Sequence, residues 1–144
     1  MQVFRSFQQN DATVAGWGIR VLLLSAETPE GRTLRQLAGL ASSVETTDEL
    51  YTALGNLIDD PVGYGLFVVE CDAFGGLEAG KKALQLLADC KSRVPTILIS
   101  SDCKEQIFPE DRRAPTLLRA PLSSVSMRVG FEHVLRDRFA MQLV

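Results

Sequence analysis

Several polar residues directly follow stretches of apolar residues, and their types could support chemistry. Ser25 and Glu27 follow the run RVLLL, Glu70 and Asp72 follow LFVV, and Ser100 closes TILI. Carboxylates can hold Mg²⁺, accept a phosphoryl group or act as general acids and bases. If the apolar stretches are parallel strands, these side chains meet at one edge of a sheet, where the carboxyl ends of the strands lie together.

Five short apolar segments alternate with helical patterns along the chain. The predicted strands are residues 20–25, 43–46, 65–71, 95–100 and 116–119. The last helix is predicted over residues 123–139, and a short helix over residues 103–108, limited by Pro109 and Pro115. This alternation predicts an α/β fold, a (βα)5 arrangement with a five-stranded parallel sheet, helices on both faces and the flavodoxin-like strand order 2-1-3-4-5.

Two helix starts carry capping signals. Thr28 precedes Pro29, which predicts an N-cap followed by proline in the first helical position. Thr46 and Glu49 stand at the capping-box spacing, so Thr46 is the predicted N-cap of the next helix.

Composition limits the function classes. The chain has 144 residues, 46% of them apolar, which fits one domain over residues 19–144 preceded by an N-terminal arm over residues 1–18. Its net charge of −3 argues against a nucleic-acid partner, since phosphate contacts need a basic face. No apolar run of about 18 residues and no secretory signal pattern occur, so we expect a cytoplasmic protein without a membrane span.

The cysteines, the histidine and the hydroxyls match no catalytic motif. Cys71 and Cys103 fall near the same predicted edge, and buried unreactive thiols are favoured over a redox pair. Cys90 is predicted in the core, and His133 on the surface or at an interface. No GxSxG, GxGxxG or P-loop pattern occurs, and we therefore predict no enzymatic activity, no metal site and no cofactor.

With these residues placed, the chain resembles the receiver domain of two-component response regulators over about residues 20–138. That family, which has the CheY-like fold, carries an acidic pair after strand 1 and a phospho-accepting aspartate after strand 3. It also carries a Ser or Thr after strand 4 and Lys-Pro after strand 5. The stretches RVLLLSAE, LFVVE, PTILISS and LLRAPL stand at these places, with similar spacing between them.

The departures from the family pattern are large. Ser25 and Ala26 replace the acidic pair, Glu70 stands at the acceptor position, and Ala120 replaces the lysine. Phosphoryl transfer to a carboxylate needs Mg²⁺ and its oxygen ligands. The resemblance therefore implies a degenerate pocket, or pseudo-receiver, that does not bind Mg²⁺. Its residues are Ser25, Ala26, Glu27, Glu70, Asp72, Ser100, Ala120 and Pro121.

The resemblance implies a phosphorylation-independent protein–protein interaction module in two-component phosphorelay signalling. Its implied partners are a sensor kinase, a phosphotransfer protein, another regulator or a second copy in a homodimer. The expected interaction face combines residues 103–108, the last strand and the last helix, with Arg119, Met127, Arg128 and Phe131. Two alternatives stay open: a true phospho-receiver that uses Asp72 or Glu70, and a flavodoxin-like redox protein or enzyme.

Overall fold

A parallel β-sheet forms the centre of the molecule. The computed structural model describes residues 18–27 and 31–137. Within them the strands are β1 (Arg20–Leu24), β2 (Ser43–Thr47), β3 (Leu66–Glu70), β4 (Thr96–Ser100) and β5 (Thr116–Arg119). They lie in the order β2-β1-β3-β4-β5, and all neighbouring strands are parallel. The predicted fold class and strand order are confirmed.

Helices cover both faces of the sheet. The described helices are α1 (Arg32–Ala38), α2 (Leu50–Asp59), α3 (Leu77–Asp89) and α4 (Ser124–Val134), and a 3₁₀ turn covers Cys71–Phe74. The first cluster of buried residues contacts α1 and α4 and includes Leu23, Val68, Ile97 and Phe131. The second contacts α2 and α3 and includes Leu22, Phe67, Leu57 and Leu87. Because successive strand side chains point to opposite faces, β1 and β3 are buried on both sides, as their unbroken apolar runs predict.

The predicted helix over residues 103–108 is wrong. Ile107 instead forms an antiparallel bridge with Leu117 of β5, with N–O distances of 2.8 and 2.9 Å in the two directions. Pro109 and Pro115 limit any helix here to about one turn, which is costly to nucleate. The bridge satisfies backbone groups on the outer edge of β5 that would otherwise lack partners.

The cap of α2 also differs from the prediction. Glu49 is the N-cap, and its carboxylate accepts hydrogen bonds from the amides of Tyr51 and Thr52 at 3.1 and 2.6 Å. Thr46 cannot cap the helix because it lies in β2, paired with Leu23 of β1. The second strand therefore extends one residue beyond its predicted end.

The starts of the first and last helices can be compared with the predictions only where the structure describes them. The described α1 begins after Gly31, and the Thr28-Pro29 cap lies outside the described residues, as do residues 1–17 of the arm. The last helix begins after its cap Ser123, whose hydroxyl accepts from the Ser126 amide at 3.0 Å. Among the described residues, no helix is both long enough and apolar enough to cross a membrane.

Candidate functional site

The carboxyl ends of β1, β3, β4 and β5 bring the predicted pocket residues together. Register pairs Leu24 with Val69 and Glu70 with Ile99, so the strands end at one level. Backbone pairing between neighbouring strands continues one residue beyond β5, since the Ala120 amide donates to the Ser100 carbonyl at 3.1 Å. The sheet therefore fixes where each functional side chain begins.

Glu70 is held from the β1 side. The Ser25 hydroxyl donates to Glu70 Oε2 at 2.8 Å and accepts from the Glu27 amide at 3.0 Å. The other oxygen, Glu70 Oε1, is buried and has no hydrogen-bond partner among the described residues. Burial raises the pKa of Glu70, hydrogen bonds from Thr33 and Ser25 oppose this, and the nearby Glu27 raises the pKa further. The net shift is upward, so this carboxyl binds its proton more tightly than an exposed glutamate.

Asp72 is held from the β4 side. The Ser100 hydroxyl donates to Asp72 Oδ1 at 2.6 Å, and the Ser101 amide donates to Asp72 Oδ2 at 3.0 Å. Burial raises the pKa of Asp72, but the hydrogen bonds from Ser100 and Ser101 outweigh it and lower the pKa overall. The two neighbouring carboxyls are thus shifted in opposite directions, with Glu70 favouring its proton and Asp72 its charge.

A cleft of about 500 Å³ lies between these two carboxyl groups. Six of the eight predicted pocket residues line it: Ala26, Glu27, Glu70, Asp72, Ala120 and Pro121. Ser25 and Ser100 are buried and act by holding Glu70 and Asp72. At the position of the family's lysine, Ala120 contributes only a methyl group. Among the described residues, no group of three or more His, Cys, Asp or Glu side chains is arranged to hold a metal ion.

Sequence reasoning missed two residues that support this edge. Thr33, a buried residue of α1, lines the cleft with Glu70, and its hydroxyl lowers the pKa of that carboxyl. Asp102 lies in the loop after β4, and its carboxylate accepts from the Leu77 amide at 3.1 Å, which caps α3. Both partners are distant in sequence, so no local pattern indicates them. A threonine in the first turn of a helix and an aspartate in a loop are common for other reasons.

The Glu70→Gln variant is expected to be more stable than the wild type by about 1 kcal/mol at pH 7, because it removes a half-buried charge, one of whose oxygens has no hydrogen-bond partner among the described residues. The raised pKa means that the folded state binds the proton more tightly than the unfolded state. The wild type therefore loses stability as pH rises through the folded pKa of Glu70. The variant should lack this loss, so the two proteins should converge below about pH 4, where Glu70 is protonated in both states.

Urea denaturation between pH 4 and pH 8 measures this difference. The matched control is Glu78→Gln, whose side chain is 80% exposed and bonds only weakly to Lys81. A destabilised Glu70→Gln variant would show that the ionised carboxylate is satisfied in the folded protein. A gain independent of pH would show that the charge of Glu70 does not cause the difference.

The predicted interaction face needs correction. Met127 and Phe131 are fully buried against the sheet, since the larger apolar stripe of α4 faces the core. Arg119 is exposed and donates to the Lys104 carbonyl at 3.3 Å, and Arg128 is paired with Glu132 at 3.7 Å. The helix that should have formed part of this face does not form.

The three cysteines and the histidine differ in burial and in their contacts. Cys71 and Cys103 are buried free thiols, and burial raises the pKa of Cys71 to about 12, which opposes thiolate chemistry there. Cys90 is exposed, contrary to its predicted core position, because it follows the last turn of α3. His133 is half-buried, with Nε2 at 2.6 Å from the Pro109 carbonyl, and its ring packs edge-on against Phe108.

Comparisons with known proteins support the fold. No model of a known protein family matches the chain, and no curated protein matches it by sequence. Among solved structures, the chain is similar to the receiver domain of the histidine kinase CKI1 from Arabidopsis thaliana, complexed with Mg²⁺ and BeF₃⁻. The TM-score is 0.57 and the identity 15%, over 92% of this chain and 95% of that chain. At this identity the likeness establishes a receiver-like fold.

Proposed function

We propose that this chain is a receiver-like protein-interaction module of two-component signal transduction that works without a phosphorylation cycle. The observation that carries the proposal is the Ser25–Glu70 hydrogen bond of 2.8 Å. It joins two positions at which the receiver family has a metal-binding acid and a phospho-accepting aspartate. A neutral hydroxyl therefore occupies the place where Mg²⁺ chemistry needs an anion.

The chemistry of phosphoryl transfer supports the same conclusion. Transfer to a carboxylate needs cations to neutralise charge on the phosphoryl oxygens. Ser25 and Ala26 supply no carboxylate for a metal, and Ala120 supplies no ammonium group at the position of the family's lysine. The cation among the lining residues is Arg32, which lies in α1 and not at that position. The upward-shifted pKa of Glu70 further disfavours this side chain as a nucleophile.

A second candidate function is phosphoryl acceptance at Asp72. Its exposed carboxylate lines the cleft, and its lowered pKa keeps it ionised at neutral pH. Against this, both Asp72 oxygens already accept hydrogen bonds, from Ser100 and from Ser101. These hydrogen bonds occupy part of the acceptor capacity of the carboxylate and fix its orientation, and an attack by Asp72 would have to use a lone pair that they leave free.

The proposed partners are proteins: a sensor kinase, a phosphotransfer protein, another regulator or a second copy of the chain. The proposal includes no catalytic activity, no cofactor and no nucleic acid, and it places the protein in the cytoplasm.

A test is to measure Kd for the purified sensor kinases and phosphotransfer proteins of the same organism, with and without acetyl phosphate. We expect at least one to bind with the same Kd in both conditions. Binding by none of them, or a severalfold change with acetyl phosphate, would contradict the proposal.

Titration with Mg²⁺ and BeF₃⁻ tests the carboxyl edge itself, since beryllofluoride can occupy the place of a phosphoryl group on a carboxylate. We expect the amide NMR signals of Ser25, Glu27 and Glu70 to move no further than in NaCl of equal ionic strength. Saturable shifts at these amides that vanish in the Asp72→Asn or Glu70→Gln variant would show a working metal and phosphoryl site.

A further inference from the structure

We propose that a second cleft, at the amino-terminal edge of the sheet, binds an acidic peptide segment of a partner protein. This basic cleft has about 480 Å³ and lies between α3, the start of β4 and residues 112–115. It is at the opposite end of β4 from the candidate site, because Thr96 is the first residue of that strand and Ser100 the last. The inference rests on the proposed function, because it assumes that the chain has a protein partner. It does not depend on any property of Glu70.

The floor of the basic cleft is apolar and its rim is cationic. The less exposed apolar residues of its lining form the floor: Leu84, Leu87, Val94 and Pro115. The rim carries Arg93, Arg112 and Arg113, and no carboxylate residue lines the cleft. The hydroxyl of Thr96 donates to the Val94 carbonyl at 3.0 Å, so it is already satisfied. The cleft thus combines an apolar surface with three guanidinium groups.

Most of this positive charge is unpaired. Within residues 18–27 and 31–137, the guanidinium groups of Arg93 and Arg113 form no ion pair. Arg112 uses Nε to contact Asp137 at 2.9 Å, which leaves its other N–H groups available. The nearest acid in sequence, Asp111, accepts from the Arg113 amide at 2.9 Å and so caps its own turn. Because the whole chain carries a net charge of −3, this concentration of cations is a local feature.

The arginine-bearing segment is held in place before any ligand binds. The Ile107 bridge attaches its beginning to β5. The Pro109 carbonyl is 2.6 Å from Nε2 of His133, and the Glu110 carbonyl accepts from Arg136 at 2.8 Å. Three independent contacts therefore fix residues 107–110, which lead into the arginines, on β5, α4 and Arg136 just beyond α4. A preformed site costs less ordering entropy on binding, which favours affinity.

The arrangement fits a peptide better than a free anion. Arg93, Arg112 and Arg113 are exposed, whereas Leu87 is buried and Leu84, Val94 and Pro115 are half-buried. Protein interfaces likewise combine an apolar centre with a polar rim. Guanidinium groups bind carboxylates through paired hydrogen bonds. A free anion would use the rim and leave the floor exposed. The complementary ligand has an aliphatic or aromatic side chain between acidic residues.

Phage display tests the proposal. Peptides from a random library are selected on the wild-type protein and counter-selected on the Arg93→Glu/Arg113→Glu variant. We expect the enriched peptides to carry acidic residues beside an aliphatic or aromatic residue. Their Kd should rise at least about tenfold on the double variant, because two attractive contacts become repulsive. Arg35→Glu/Lys82→Glu is the charge-matched control, since both side chains are exposed and neither lines the basic cleft, and it should leave Kd unchanged.

Three results would overturn the proposal. The first is enrichment of neutral or basic peptides, or no enrichment over the counter-selection. The second is peptide-induced NMR shifts outside residues 84–96 and 112–115. The third is displacement of the peptide by inorganic phosphate at concentrations near the peptide's own Kd, which would indicate a simple anion site. Incubating the double variant with acetyl phosphate separates this proposal from the proposed function, because phosphorylation at Asp72 would contradict only the latter.

Discussion

Replacing Phe131 by alanine is expected to lower the free energy of unfolding by about 3–5 kcal/mol, the usual cost of truncating a buried aromatic side chain. The Phe131 ring is fully buried between α4 and the sheet, in the same cluster as Leu118 and Met127. The loss combines the transfer free energy of the ring with that of the cavity left behind. Urea denaturation, followed by circular dichroism, measures it directly.

The matched control for Phe131 is Val129→Ala on the same helix. Val129 is 45% exposed, so its truncation should change the free energy of unfolding by no more than about 0.5 kcal/mol. Similar small effects for both substitutions would mean that Phe131 lies on the surface, as the family resemblance led us to expect. A large effect for Phe131 alone agrees with a core position.

Replacing Gly80 by valine is expected to cost about 1–3 kcal/mol, because the new side chain overpacks a tight contact. A Cβ atom at Gly80 would lie 2.7 Å from Sγ of the buried Cys71 and 3.3 Å from a methyl group of Leu98. Cys71 begins the 3₁₀ turn that carries Asp72, so relief of the clash should also disturb the Asp72–Ser100 hydrogen bond.

Gly55→Val in α2 serves as the control for Gly80→Val. Apart from its chain neighbours and the nearby backbone of its own helix, nothing lies within 4 Å of a Cβ built at Gly55, and valine has a better helix propensity than glycine. We expect the control to be neutral or slightly stabilising in thermal unfolding, and its amide NMR signals at Asp72 and Ser100 to stay in place. Equal losses at both glycines would show that α3 does not pack closely on the 3₁₀ turn.

The strand order was predictable because each buried strand leaves a local trace. RVLLL and LFVV are too apolar for half-exposed strands, and the helical patterns between them require crossovers of one hand. The grouping of Ser25, Glu70 and Ser100 at one edge then followed from parallel pairing. The individual contacts did not follow, since pattern alone does not show that Ser25 faces Glu70 while Ser100 faces Asp72.

Other errors came from giving family resemblance more weight than local physics. The helix over residues 103–108 was a separate error of the sequence pattern, because prolines follow the segment and the edge strand offers Ile107 a backbone partner. Met127 and Phe131 were assigned to a docking face, although they are the largest apolar residues of their helix and Val125 and Val129 are the exposed ones. Side-chain volume would have separated the two stripes, because large apolar residues are the ones most often buried.

The most direct test of the central claim is the intact mass of the protein after incubation with acetyl phosphate and Mg²⁺, alongside a receiver domain known to accept phosphate. If the carboxyl edge has lost phosphoryl chemistry, the mass of this chain stays unchanged while the control gains one phosphoryl group. A gain by this chain that disappears in the Asp72→Asn variant would contradict the account and make Asp72 a displaced phospho-acceptor.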